Sequence, residues 1–164
     1  MEKSNETVTG TAEREIILTR LVNAPRELVF KAWTQPEHLA QWFGPDGFTL
    51  TVNRMEVRNG GTWLMTMHGP DDTDYPNRMI FSEIVPPERL VYTQDSGMDD
   101  DPAQFHVTVT LDNEGGKTRL TMRALFSTAE EREKVVREHG AIEGGNQTIN
   151  RLEEHLAKMQ QGTV

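Results

Sequence analysis

Side chains that could carry acid–base chemistry are few in this chain and match no known catalytic motif. His68 and His106 lie in or at the end of segments with strand-like alternation. Each could donate to a ligand or act as a base, but their alternation with apolar neighbours predicts that both face solvent. Tyr92 falls on the same predicted strand face as Leu90, and its phenol could hydrogen-bond a bound molecule.

Other kinds of reactive site receive no support from the sequence. The chain has no Cys, which excludes disulfides, thiolate metal sites and Cys nucleophiles. It contains no nucleophile elbow, phosphate-binding loop, dinucleotide fingerprint or HExxH motif. The acidic clusters PDDTDY and GMDDDP lack the spacing and distal Glu of a calcium-binding EF-hand loop, so they are predicted to be solvated loop tips. The sequence therefore assigns no catalytic residue, metal site or cofactor.

Length and charge limit the class of protein. The 164 residues predict one domain, assigned to residues 13–160. The net charge of −9 disfavours a nucleic-acid partner, which requires a basic surface. No apolar run is long enough to insert in a membrane. The opening MEKSNETVTGTA lacks the apolar core of a signal peptide, so residues 1–12 are predicted to be a disordered tail and the location cytoplasmic.

Aromatic side chains are concentrated between Lys31 and Phe48, in KAWTQPEHLAQWFGPDGF, which holds two of the three Trp. Helical spacing predicts two short helices here, separated at TQPEH and closed by the Gly-Pro signal in FGPDG. The expected caps are Asn23 or Ala24 for the first helix and Thr34 for the second. The aromatic residues either plug a core or form the wall of a cavity.

Segments with a period of two residues predict about seven strands. They are REIILTRLV, FTLTVNRMEV, TWLMTMH, RMIFSEIVP, RLVYTQD, AQFHVTVTLD and KTRLTMRALF. A slip of register is expected near Asn53, where the alternation changes. NEGG is a hairpin signal between the last two segments, and the short turns between strands predict an antiparallel sheet.

A long amphipathic helix is predicted from Ala141 nearly to the end, after a shorter helix capped by Ser127 or Thr128. Its apolar stripe is Ile142, Gly145, Ile149, Leu152, Leu156 and Met159. Gly144 and Gly145 would each cost about 0.5–1 kcal/mol relative to Ala inside a helix. Either the helix closely approaches the sheet or a ligand there, or it begins after them. A curved sheet packed around this helix is the expected arrangement.

The segments APRELVFKAWTQPEHLAQWFGP, GGTWLMTM and PPERLVYT resemble the activator of heat-shock-protein-90 ATPase homologues. That family belongs to the superfamily of START domains and the birch-pollen allergen fold. The resemblance extends over about residues 13–160. It implies an α+β helix-grip fold, with a curved antiparallel sheet of six to seven strands, two short helices and a long C-terminal helix. It also implies an internal cavity for an apolar or amphipathic small molecule.

We expect a neutral, apolar or aromatic ligand, because no inward-pointing Lys or Arg is predicted that could pair with a strong negative charge. The predicted lining is Trp42, Phe43, Trp63, Met65, Met67, Phe81, Tyr92, Met122, Gly145 and Ile149. The alternative for each is a place in a filled core. Two other functions stay open: a chaperone ATPase activator or stress-response co-factor that contacts a heat-shock chaperone through its surface, and an enzyme similar to the polyketide cyclases and dehydratases of this superfamily.

Overall fold

The computed structural model of the chain describes residues 12–95 and 104–161. The predicted N-terminal tail lies outside these residues except for Ala12, which opens a single 3-10 turn, Ala12–Arg14. The acidic cluster GMDDDP also lies outside them.

The described residues form one antiparallel sheet of seven strands. These are β1 (Glu15–Val22), β2 (Thr49–Met55), β3 (Thr62–His68), β4 (Asp74–Val85), β5 (Arg89–Asp95), β6 (Phe105–Glu114) and β7 (Lys117–Phe126). Their order is β1-β7-β6-β5-β4-β3-β2. Strands β2 to β7 are therefore a meander of sequence neighbours, and β1 joins it by pairing with the distant β7. The predicted antiparallel sheet is confirmed.

Two short helices follow β1, and a helix of intermediate length and a long C-terminal helix follow β7. They are α1 (Arg26–Thr34), α2 (Pro36–Trp42), α3 (Ala129–His139) and α4 (Ala141–Gln161). The cap predicted at Thr128 is confirmed, since its hydroxyl accepts from the Glu131 N–H at 3.0 Å. The other two cap predictions were wrong. Pro25 and Gln35 occupy the N-cap positions without side-chain cap bonds. Gln35 precedes Pro36, which favours the extended backbone of an N-cap at this position.

Turn chemistry explains the register of the strands. The predicted slip near Asn53 is confirmed by a bulge between Val52 and Arg54 in the pairing of β2 with β3. The hairpin after β6 turns at Gly115 and Gly116, whose φ angles are +63° and +88°, a conformation that favours glycine. Strand β4 begins at Asp74, earlier than the sequence pattern predicts, because it continues to pair with β3 past Pro76.

The core lies between the concave face of the sheet and α4. Ile149, Leu152 and Leu156 of α4 are almost fully buried, so the central part of the predicted apolar stripe is confirmed. Each such side chain contributes about 1.5–3 kcal/mol when it is fully buried. The first member of the stripe does not reach the core: Ile142 is 38% exposed, because it lies in the first turn, where α4 leaves the corner with α3.

A candidate ligand-binding cavity

A cavity of about 330 Å³ lies between the concave face of the sheet and the N-terminal half of α4. The sheet contributes Ile16, Leu18, Met65, Met67, Tyr92, Gln94, Phe105, Val107, Met122, Ala124 and Phe126. The other side consists of Phe43, Gly44 and Pro45 after α2, Val135 of α3, and Ala141, Gly144, Gly145 and Thr148 of α4.

The cavity lies at the end of α4 where two consecutive helix positions have no side chain. A Cβ atom placed on Gly145 would lie 2.5 Å from Leu18 Cδ1, so a larger residue at this position requires the Leu18 side chain to move. A Cβ on Gly144 would meet only Pro45, at 3.7 Å. One turn further on, the Ile149 side chain fills the same gap, and the packing becomes solid. Both glycines lie inside the helix, so of the two explanations the sequence allowed, the close approach to the sheet holds for Gly145.

The wall of the cavity is apolar and uncharged. None of the described residues that line it carries a formal charge, and Met65, Met67 and Met122 place three flexible thioethers on the sheet side. Such side chains adapt to irregular or variable contents. Two of the polar side chains have internal partners. Gln94 Nε2 donates to Asn77 Oδ1 at 2.7 Å, and Thr148 Oγ1 donates to the Gly144 carbonyl at 2.8 Å.

Tyr92 is the third polar side chain of the wall, and it stays neutral. Burial raises the pKa of its phenol above the usual value, and the Trp33 indole offsets this effect only in part. A neutral phenol with almost no access to bulk water has a hydroxyl that can either donate or accept.

The structure places six of the ten predicted lining residues on the cavity wall. They are Phe43, Met65, Met67, Tyr92, Met122 and Gly145. The other four, Trp42, Trp63, Phe81 and Ile149, lie in the filled core. These four residues therefore occupy the core, the alternative that the sequence left open. An inward-facing residue lines the cavity only where the part of α4 opposite it leaves a gap.

Trp63 lies directly behind the wall. Its ring contacts two lining residues, Phe43 at a centroid distance of 5.6 Å and Tyr92 at 5.1 Å, and it stacks on Phe81 at 5.7 Å. Its indole Nε1 is buried and has no hydrogen-bond partner among the described residues. The environment of this ring therefore depends on the two side chains that a ligand would touch.

The aromatic segment at the start of the chain anchors the two short helices to this layer. Trp42 packs edge-on against Trp33 at 4.9 Å and against Phe43 at 5.4 Å, and its Nε1 donates to the Ala32 carbonyl at 3.0 Å. Each such aromatic pair contributes about 0.5–1.5 kcal/mol beyond burial. Trp33 and Trp42 are therefore structural, and only Phe43 reaches the cavity.

Sequence reasoning missed many of the lining residues. They are Ile16, Leu18, Gly44, Pro45, Gln94, Phe105, Val107, Ala124, Phe126, Val135, Ala141, Gly144 and Thr148. A usable signal existed for the strand positions, since Phe105 and Val107 alternate with outward residues, as do Met122, Ala124 and Phe126. The helix and loop residues had no such signal, because their approach to the cavity depends on tertiary packing.

The histidines described in the structure do not line this cavity. His68 bonds to Thr51 Oγ1 and Asp74 Oδ1, and His106 bonds to Thr93 Oγ1, all on the outer face of the sheet. Both therefore face solvent, as predicted.

A larger depression of about 530 Å³ lies on the outer surface of the domain, between α1, α2 and α4, but charged and polar side chains dominate its lining. In it, His38 Nδ1 and His155 Nε2 are 3.1 Å apart. Burial lowers the pKa of His155, and the charges of His38 and Lys158 lower it further.

Two further observations bear on the class of site. In the described ranges, no three side chains of the metal-ligating types converge, and no helix combines the length and apolarity needed to cross a bilayer. The acidic cluster PDDTDY forms the turn between β3 and β4, where Asp71 Oδ1 accepts from the Thr73 N–H at 3.1 Å. Hydrogen bonds from the backbone and the side chain of Thr73 lower the pKa of Asp71.

A curved antiparallel sheet that holds a long C-terminal helix, with a cavity between them, defines a helix-grip protein. The family model of the activator of Hsp90 ATPase homolog 1-like proteins matches residues 23–157, and the chain belongs to this family. The predicted family and fold are thus confirmed. No curated protein matches the chain.

Solved structures from several bacteria share the fold. A protein from Nitrosomonas europaea is 30% identical with a TM-score of 0.82, and the match covers 92% of this chain and 98% of that one. A protein from Arthrobacter aurescens is 25% identical with a TM-score of 0.82, covering 90% and 88%. An AHSA1-like protein from Aeromonas hydrophila, 17% identical with a TM-score of 0.71 and coverage of 89% and 94%, is similar in fold alone.

Proposed function

We propose that this protein binds a small, neutral, apolar or aromatic molecule in the cavity between the sheet and α4. The observation that carries the proposal is the chemistry of the wall: it is apolar, rich in methionine and free of charged side chains among the described residues. Binding sites for small molecules are typically concave and mostly apolar, with a few polar groups that fix orientation. Here Tyr92 would be the orienting group.

The wall also limits the charge of the ligand. An ionised carboxylate or ammonium group would lose its hydration in the cavity and find no counter-charge, which costs several kcal/mol or more. By contrast, each 100 Å² of apolar ligand surface removed from water contributes roughly 2.5 kcal/mol. A neutral ligand is favoured for this reason.

The volume of the cavity limits the size of the ligand. About 330 Å³ lies near the lower end of the range of roughly 300–1,000 Å³ typical of small-molecule sites. A compound of one to three rings suits this space, and the three methionines allow modest adjustment.

A fluorescence titration tests the proposal. The uncharged probe N-phenyl-1-naphthylamine should bind saturably and change the emission of Trp63, whose ring contacts the wall residues Phe43 and Tyr92. The anionic probe 1-anilinonaphthalene-8-sulfonate should bind at least tenfold more weakly, since one unpaired buried charge costs more than 1.4 kcal/mol. Equal binding of both probes, or binding of neither, would contradict the proposal.

A matched pair of variants locates the probe. Ala124→Leu places three more carbon atoms in the cavity, and we expect it to reduce affinity for the neutral probe. Thr121→Leu adds bulk to the same strand on its outer face, since the inward positions are Leu120 and Met122, and should leave affinity unchanged. Met65→Arg, a buried charge in the wall, should abolish binding if the variant folds. If folded Ala124→Leu binds as the parent does, the probe lies elsewhere.

The family match favours a second candidate function, activation of a chaperone ATPase through surface contacts. The measurement is the ATPase rate of purified Hsp90 with and without the parent protein and Ala124→Leu. Equal stimulation by both proteins would support a surface function that does not need the cavity. For either function we propose a cytoplasmic location, which suits a chain without Cys.

A further inference from the structure

One side of the cavity is formed by a loop that lies outside the sheet. We call residues 43–47, Phe-Gly-Pro-Asp-Gly, the wall loop; together with Phe48 it joins the end of α2 to β2. Phe43, Gly44 and Pro45 line the cavity. The opposite wall, in contrast, consists of paired strands. The wall loop therefore belongs to the part of the boundary that strand pairing does not hold.

Two side chains of α4 hold the wall loop from outside the cavity. Arg151 Nη1 donates to the carbonyl oxygens of Gly44 and Pro45, each at 2.8 Å. Gln147 Oε1, one helical turn earlier, accepts from the Asp46 N–H at 3.1 Å. The two bonds from Arg151 have a charged donor, which makes them stronger than bonds between neutral groups.

A glycine stands at each end of residues 44–47. Gly44 has φ +113° and Gly47 has φ +88°, a region that glycine adopts readily and residues with a side chain rarely do. Phe43, by contrast, is fixed by ring contacts with Trp42 and Trp63. We infer that residues 44–47, between the fixed ring of Phe43 and Phe48, are the part of the wall loop that moves.

We propose that Arg151 is the positioning residue of the cavity: by binding the Gly44 and Pro45 carbonyls it holds the wall loop closed and limits the rate at which a ligand enters and leaves. The proposal rests on the ligand-binding function proposed above. Arg151 does not line the cavity, so its loss changes access to the site while the apolar wall stays intact.

Stopped-flow kinetics with N-phenyl-1-naphthylamine test the proposal. Arg151→Met keeps the aliphatic stem but removes the donors, and we expect the association and dissociation rate constants to rise together by about tenfold, the factor that corresponds to about 1.4 kcal/mol. Arg151→Lys keeps the charge and a donor and should restore rates close to those of the parent. Lys158→Met removes a positive charge from the same helix and should change neither rate.

A second measurement needs no ligand and separates failure of this inference from failure of the proposed function. Hydrogen exchange at the Asp46 amide, whose N–H bonds to Gln147, should become at least tenfold faster in Arg151→Met, while exchange in the β6–β7 hairpin stays as in the parent. Arg151→Gln is measured in its place if Arg151→Met does not fold. Unchanged exchange at Asp46 in a folded variant overturns the role of Arg151, whether or not the probe binds. Faster exchange without probe binding overturns only the ligand-binding function.

Discussion

The two neighbouring glycines of α4 allow a direct measurement of how closely this helix approaches the sheet. In both Gly144→Ala and Gly145→Ala, the alanine favours the helix by about 0.5–1 kcal/mol. The two variants differ in what the added methyl group meets. At Gly144 it would lie in ordinary contact with Pro45, at 3.7 Å, whereas at Gly145 it would lie 2.5 Å from Leu18 Cδ1. The terminal methyl of Leu18 must therefore move, which costs about 1 kcal/mol, the low end for overpacking, because Leu18 also borders the cavity.

We expect Gly144→Ala to stabilise the protein and Gly145→Ala not to stabilise it. Gly144→Ala should raise the free energy of unfolding by about 0.5–1 kcal/mol, whereas Gly145→Ala should leave it unchanged or lower it by up to about 0.5 kcal/mol, because the gain in helix propensity offsets most of the cost of moving Leu18. Urea denaturation monitored by circular dichroism measures both. In a chain of this size, each kcal/mol also shifts the melting temperature by about 2–4 °C.

A double-mutant cycle assigns the effect to the contact. Shortening Leu18 to Ala should relieve the strain of Gly145→Ala but have no such interaction with Gly144→Ala, so the coupling energy should be at least 0.5–1 kcal/mol for the first pair and near zero for the second. Equal stability of the two single variants, or equal coupling to Leu18, would refute the close approach of α4 to β1 and the explanation given for the position of the cavity.

Three other predictions concern stability. Leu152→Ala should lower the free energy of unfolding by about 2–5 kcal/mol, because Leu152 is fully buried; Glu154→Ala, on the exposed side of the same helix, should change it by less than about 0.5 kcal/mol. Lowering the pH from 7.5 to 5.5 should destabilise the parent more than it destabilises His155→Gln. The pKa of His155 is lowered in the folded state, so the unfolded chain takes up the proton first as the pH falls below about 6.5. His106→Gln is the control, and the linkage to His155 is wrong if the parent loses no more stability than His155→Gln. Thr128→Ala should cost about 0.5–2 kcal/mol in a urea melt through loss of the α3 cap, while Thr128→Ser should retain most of that stability.

The sequence predicted those parts of the fold that depend on local periodicity. The spacing of Ile149, Leu152 and Leu156 predicted the buried face of α4, because three- and four-residue intervals return to one side of a helix. The break in the two-residue alternation near Asn53 predicted the bulge, because an extra residue shifts the side chains that follow to the other face of the strand. The caps of α1 and α2 were harder to predict. In α2 the restriction that Pro36 imposes on Gln35 outweighed the ordinary preference for a polar cap residue such as Thr34, and in α1 Pro25 itself occupies the cap position.

The cavity was less predictable, because its position depends on residues that are distant in the sequence. Trp63 and Met65 lie on the same strand face, yet only Met65 reaches the hollow space. The difference arises opposite them, where α4 presents glycine at 144–145 and Ile149 one turn later. The sequence of the strand does not predict which of these helix positions will lie opposite it. The ten predicted residues therefore included core and wall positions together.

The pairing of the first strand with the last has a consequence for how the chain folds during synthesis. Strands β2 to β7 pair with their sequence neighbours and can form as soon as each hairpin has left the ribosome. Strand β1 has to wait, since its partner β7 is about a hundred residues away, as in the pair Glu15 and Leu125, and such long-range closure is slow. Helix α4 is made later still. Until residues 141–161 arrive, the concave apolar face of the meander is in contact with water, and a chain arrested before this helix exposes a surface prone to aggregation.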